Sequence, residues 1–187
     1  MRIIGGQFKG RRFNPPAKKW PTRPTTDIAK EGLFNILNNN FDFSEIKVLD
    51  LFGGTGSHSY EFISRGCRDV TYVDKFPGCI AFVKKTAGIL DIEPYLHINR
   101  MDVFRFIKNC TQTFDYIFAG PPYPLPNIPE IPGLIFEKKL LKPQGWLVLE
   151  HNPNHSFVNH PRFFQERNYG KTIFSFFENV LEEDEEE

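Results

Sequence analysis

Three cysteines in 187 residues, Cys67, Cys79 and Cys110, are too few and too scattered for a disulfide framework. No pair of them has CxxC spacing, so they suit a reducing compartment and make no metal site. No apolar run approaches the roughly 18 residues of a membrane span. The opening MRIIGGQFKGRR lacks the apolar stretch of a secretory signal. Internal repeats are missing, and the acidic tail alone is of low complexity. No long hydrophobic surface pattern asks for a partner copy, so the expectation is a cytoplasmic monomer without a metal ion.

Hydrophobic residues make up 40% of the chain and charged ones 25%, enough to bury the core of one domain. The formal charge is zero, yet it is polarised. Residues 1–30 carry eight basic groups against one acid, and residues 178–187 carry seven acids and no base. The expected division is a basic extension at 1–26, a domain at 27–180 and a disordered acidic tail at 181–187. The extension interleaves Arg2, Lys9, Arg11, Arg12, Lys18, Lys19 and Arg23 with Phe8, Phe13 and Trp20. That mixture offers phosphate contacts and flat surfaces for stacking, although a solvated arm accounts for it equally well.

DIAKEGLFNILNNN (27–40) sets Ile28, Leu33, Phe34 and Leu37 on one side at helical spacing. Short runs then follow: IKVLDLF (46–52), VTYVD (70–74), DYIFA (115–119) and WLVLE (146–150), with PYLHIN (94–99) a weaker one. Rich in β-branched and aromatic residues and separated by helix-length segments, they read as strands buried on both faces. This alternation predicts an α/β, mostly parallel sheet with right-handed crossovers. RFFQERNYG and KTIFSFF read as an antiparallel pair after it. The run from Leu125 to Pro132, inside PYPLPNIPEIP, reads as neither helix nor central strand but as a loop over the sheet's carboxyl edge. Ligands bind at that edge in open α/β sheets.

VLDLFGGTGSHSYEFISRG (48–66) carries a strand into a glycine-rich turn that opens a helix. Gly54 and Gly56 let backbone approach a ligand closely. The dinucleotide spacing GxGxxG fails, because the third position in register is Ser59. No Lys-Ser/Thr pair follows, so this is no phosphate-cradling loop. A carboxylate at the strand end, Asp50, suits a cationic amino-acid-bearing nucleoside, and S-adenosylmethionine is the candidate. Asp74 ends the next strand, where a carboxylate accepts both ribose hydroxyls; the plain alternative is a surface Asp beside Lys75. Asp102, with Val103 beside it, would hold the adenine amino group or cap the following helix, or do both.

At FDYIFAGPPY (114–123) the chain resembles methyltransferases acting on exocyclic amino groups of nucleobases, whose fourth strand ends in (Asp/Asn)-Pro-Pro-Tyr. More closely it resembles the RsmD-type bacterial small-subunit ribosomal RNA guanine-N2 methyltransferases. MRIIGGQFKGRR, RPTTDIAKEGLFNIL, LDLFGGTG with Glu61, SRG and RNYGKT fall in that family's order over nearly the whole chain. The resemblance implies a Rossmann-like class I fold using S-adenosylmethionine, with ribosomal RNA within the small subunit as partner. It puts the cofactor against Asp50, Phe52, Gly53, Gly54, Gly56, Asp74, Lys75, Asp102 and Val103. The target base would rest on Tyr123, held by the backbone of Pro121 and Pro122, with Arg23 and Thr25 at the mouth and the basic extension on phosphates. One position departs from the pattern. Gly120 stands where the family has an acidic or amide side chain that accepts a hydrogen bond from the target amino group. Pro-Pro-Tyr does not separate guanine from adenine, and Gly120 keeps open a non-catalytic RNA-binding homologue.

His151, His155 and His160 do not make a helical metal site, because Pro153 and Pro161 interrupt them. His58 reads as a helix residue beside the site rather than as a base. Cys67 and Cys110 read as small buried hydrophobes.

Overall fold

The computed structural model describes residues 1–16, 19–21 and 24–180. Lys18, Arg23 and the acidic tail therefore lie outside the described residues. Seven strands form one sheet in the order β3-β2-β1-β4-β5-β7-β6. They are β1 (Val48–Leu51), β2 (Val70–Asp74), β3 (Leu96–Arg100), β4 (Phe114–Ala119), β5 (Leu141–His151), β6 (Phe163–Tyr169) and β7 (Thr172–Glu178). The first five pair in parallel, and β7 runs antiparallel between β5 and β6. This is the mostly parallel α/β sheet with a closing antiparallel pair that the alternation of runs predicted.

Side chains alternate across a strand, so each strand feeds two cores. Val48 faces one cluster with Leu33 and Phe34 of α1 (Asp27–Asn38), Phe62 of α2 (Ser57–Ser64) and Val83 of α3 (Pro77–Leu90). Leu49 and Leu51 face the other, with Ile107 of α4 (Val103–Asn109) and Ile131 and Ile135 of α5 (Ile131–Glu137). Thr26 caps α1, its hydroxyl accepting from the Ala29 amide.

Several expectations need correction. Ile28 is 75% exposed, because α1 turns Ala29, Lys30, Leu33, Phe34 and Leu37 inward instead. The proline run is not all loop: Ile128–Glu130 forms a 3-10 turn leading into α5. Pro132 sits in the first turn of α5, where a missing N–H breaks no helical hydrogen bond. Strand β3 starts two residues late, behind a 3-10 turn at Glu93–Tyr95. Cys67 is buried, whereas Cys110 is half-buried because it caps the open end of α4.

The N-terminal segment is packed down rather than free. Arg2 and Arg12 form an antiparallel bridge, and Ile3 between them is buried in the core. The Glu61 carboxylate, fully buried on α2, accepts hydrogen bonds from the Ile4 and Gly5 amides and pairs with Lys30 and Arg65. Lys30 Nζ also donates to the Arg2 carbonyl at 2.6 Å. Burial pushes the Lys30 ammonium below its ordinary pKa despite Glu61. The aromatic residues expected to stack on a ligand are spent inside: Phe8 and Phe13 pack on the core, and Trp20 lies edge-on to Phe76 and Phe82.

Candidate active site

The chain order reverses between β1 and β4, and a cavity of about 340 Å³ opens at the carboxyl ends of the strands there. The turn after β1 is held before any ligand arrives. Asp74 at the end of β2 accepts the Gly54 amide at 2.9 Å and the Phe76 amide at 2.8 Å. Tyr72 donates its hydroxyl to the Gly54 carbonyl at 2.6 Å. Phe52, at φ 57°, takes the left-handed backbone that non-glycine residues rarely adopt, a strain typical of binding turns. Gly56 caps α2 at φ 83°, and a Cβ there would stand 2.5 Å from the Tyr60 ring.

Asp50, Asp74, Asp102 and Glu150 line this cavity, and Lys75 is the one Lys or Arg among its described lining residues. Such a wall favours a cationic ligand over a phosphate-bearing dinucleotide. Burial raises the Asp50 pKa to about 7; Asp74 adds to the rise and the Ser59 hydroxyl, at 2.7 Å, opposes it. A cation bound beside Asp50 would restore its charge. Asp102 accepts the Arg105 amide as the cap of α4, and it lines the cavity too. Val103, Phe52 and Phe104 supply apolar wall, the two phenyl rings edge-to-face at 6.2 Å.

Across the cavity, β4 runs out into Gly120, Pro121, Pro122 and Tyr123. Ala119 pairs with Leu149, so the next residues, Gly120 and Glu150, stand side by side on neighbouring strands. Glu150 is only 5% exposed. Its carboxylate accepts the Thr25 hydroxyl at 2.6 Å and the Tyr123 hydroxyl at 3.0 Å. Tyr123 also reaches Thr172 at the head of β7, 3.3 Å away. Phe118 lies flat on the His58 ring at 3.6 Å. Burial holds His58 neutral, its pKa far below the ordinary value.

The family model described as Conserved hypothetical protein 95 matches residues 1–178. The chain belongs to this family. Within it the chain is similar to "Putative rRNA methyltransferase YlbH" of Bacillus subtilis, 34% identical over 81% of this chain and 83% of that one. It is also similar to "Ribosomal RNA small subunit methyltransferase D" of Buchnera aphidicola, 27% identical over 96% and 92% of the two chains. Among solved structures, the fold is that of "Putative methyltransferase yhhF" from Escherichia coli, with TM-score 0.83 at 22% identity over 97% and 99%. A Salinibacter ruber RNA methyltransferase in complex with S-adenosyl-L-homocysteine shares it at TM-score 0.64 and 14% identity, over 88% and 98%. The RsmD-type resemblance and the Rossmann-like class I fold both stand on these matches.

For this family member, the structure gathers Asp50, Phe52, Gly53, Gly54, Asp74, Lys75, Asp102, Val103, Thr25 and the Gly120–Tyr123 segment around one cavity. Gly56 stands behind it as the helix cap. Arg2, Lys9, Arg11, Arg12 and Lys19 do not line it. Lys9, Arg11, Arg12 and Lys19 are exposed on the N-terminal segment, while Arg2 pairs with Asp27 at 3.2 Å. His151 is no open ligand: its ring nitrogens meet the Asn152 carbonyl and the Ser175 hydroxyl, both at 2.8 Å. Glu150 is the residue that sequence reasoning passed over. Its signal was present, since it closes an apolar run as Asp74 does.

Proposed function

We propose that this chain transfers a methyl group from S-adenosylmethionine to the exocyclic amino group of a guanine in small-subunit ribosomal RNA, working as a monomer in the cytoplasm. The observation that carries the reading is the cavity itself: carboxylates at successive strand ends on one wall, and a Pro-Pro-Tyr segment on the other. The names of the relatives supply the substrate class. When bound, the cofactor supplies a sulfonium methyl as electrophile. Asp74 would hold the ribose hydroxyls, Asp102 the adenine amino group, and Asp50 the positive end. Asp74 keeps its turn closed with backbone amides, and each of its oxygens retains a lone pair for a ligand hydroxyl. Tyr123 would carry the target base by stacking, with the Pro121 and Pro122 backbone as edge contacts. The base must be unpaired or flipped to enter. Much of the acceleration then comes from aligning nitrogen, methyl and sulfur in a closed site.

Methyl transfer needs little base catalysis, because the nitrogen that has taken the methyl is acidic, so a neutral, buried His58 is no obstacle. The expected experiment incubates the full chain with labelled S-adenosylmethionine and small subunits lacking the modification. Label in guanine supports the reading. Label in adenine redirects it, and cofactor binding without label would favour the RNA-binding homologue that Gly120 suggests.

A further inference from the structure

We propose that Glu150 is the side-chain acceptor for the target amino group, taking over from β5 the task that position 120 on β4 gives up; this rests on the methyl-transfer reading above. A Cβ built on Gly120 would lie 2.9 Å from Phe118 Cε1 and 3.7 Å from Glu150 Oε2. The room that a side chain at 120 would enter is thus filled by the Phe118 ring and faced by a carboxylate oxygen. Gly120 is absent from the left-handed positions, so backbone conformation does not demand a glycine here. Space does. The Phe118 ring cannot simply retreat, because it is buried and stacked on His58.

Glu150 has what an acceptor needs. It lines the cavity, it is almost wholly buried, and its two oxygens are each fixed by a hydroxyl donor from a different segment, Thr25 and Tyr123. The Tyr123 hydroxyl ties the acceptor to the very ring on which the base would rest. In the step, Glu150 accepts a hydrogen bond from the amino group and leaves its lone pair directed at the methyl. The nitrogen's pair forms the new N–C bond, and the C–S bond breaks with its pair on sulfur. The surplus proton on nitrogen passes to the Glu150 carboxylate and from there to water. A carboxylate beside the developing positive nitrogen stabilises it where it forms.

The test uses the full chain, labelled S-adenosylmethionine and unmodified small subunits, with wild type, Glu150→Ala, Glu150→Gln and Gly120→Asp. Cofactor Kd and melting temperature are measured alongside. Glu150→Ala is expected to lower kcat about 100- to 1000-fold, the scale of one lost positioned group, with cofactor Kd within about threefold. Glu150→Gln keeps an acceptor oxygen and is expected to stay within about tenfold of wild type. Gly120→Asp alone crowds Phe118 and sets two carboxylates together, lowering turnover. Two results overturn the proposal: Glu150→Ala within threefold of wild type, or a gain from Gly120→Asp with Glu150 in place. A wild type that binds cofactor and labels nothing overturns the methyl-transfer reading instead, and this inference with it.

Discussion

Asp50 is a buried carboxyl with a pKa near 7 in a cavity suited to a cation, so its titration ties ligand binding to pH. A ligand that needs the ionised form must displace a proton in acid. Cofactor affinity is therefore expected to be flat above pH 7 and to fall by up to tenfold per unit below it. Titration calorimetry from pH 5.5 to 8 checks this, and Asp50→Asn should remove the slope. The same group acts on stability in the opposite sense. Its folded pKa lies above the unfolded value near 3.8, so its favourable contribution is complete below about pH 4 and is lost as pH rises through about 7. Chemical denaturation should show Asp50→Asn gaining on wild type across that window, by on the order of 4 kcal/mol at most. Tyr123 separates two roles: Tyr123→Phe keeps the ring and loses the hydroxyl on Glu150, whereas Tyr123→Ala loses both. Single-turnover methylation should fall modestly in the first and by about tenfold or more beyond it in the second. The carboxylates near strand ends were legible because Asp74 closes an apolar run and Asp50 interrupts one just before a glycine turn. The partnership of Glu150 with Gly120 was not, since the sequence separates them by 30 positions and only the β4–β5 register sets them side by side.

The elements themselves were mostly legible, because buried parallel strands must be short and apolar and the turns between them carry Gly, Asp or Pro. The exceptions share a cause, which is that tertiary contact decided what local pattern left open. Ile28 matches the helical period yet points outward, since α1 uses the aliphatic stem of Lys30 as core to reach Glu61. The N-terminal segment reads as a charged arm, yet it docks through buried Ile3, the Ser64 hydroxyl and the Glu61 carboxylate, all but the first far along the chain. Glu61→Ala should release residues 1–13 and strand the buried Lys30, at a cost of roughly 3–5 kcal/mol. Thermal unfolding measures the loss, and limited proteolysis should show new cleavage before residue 13. Combining it with Lys30→Met should cost less than Glu61→Ala alone, because no unpaired charge then remains inside.

At the scale of the whole molecule, the exposed cations Lys9, Arg11, Arg12 and Lys19 lie outside the cavity while the cavity wall is acidic. Substrate docking and cofactor binding are therefore expected to respond to different variants. Reversing Lys9, Arg11 and Arg12 to Glu should weaken small-subunit binding and flatten its dependence on salt, with cofactor Kd unchanged. Filter binding at several salt concentrations checks it, and loss of both affinities together would place these residues elsewhere in the scheme.

The insertion of β7 between β5 and β6 also bears on the timing of synthesis. The acidic wall at Asp50, Asp74 and Asp102 is built from residues 50–103, early in translation. Thr172, which touches Tyr123, belongs to the strand that enters the sheet last. A nascent chain halted before residue 172 would already own the carboxylates of Asp50, Asp74 and Asp102 and would lack the Thr172 contact to Tyr123.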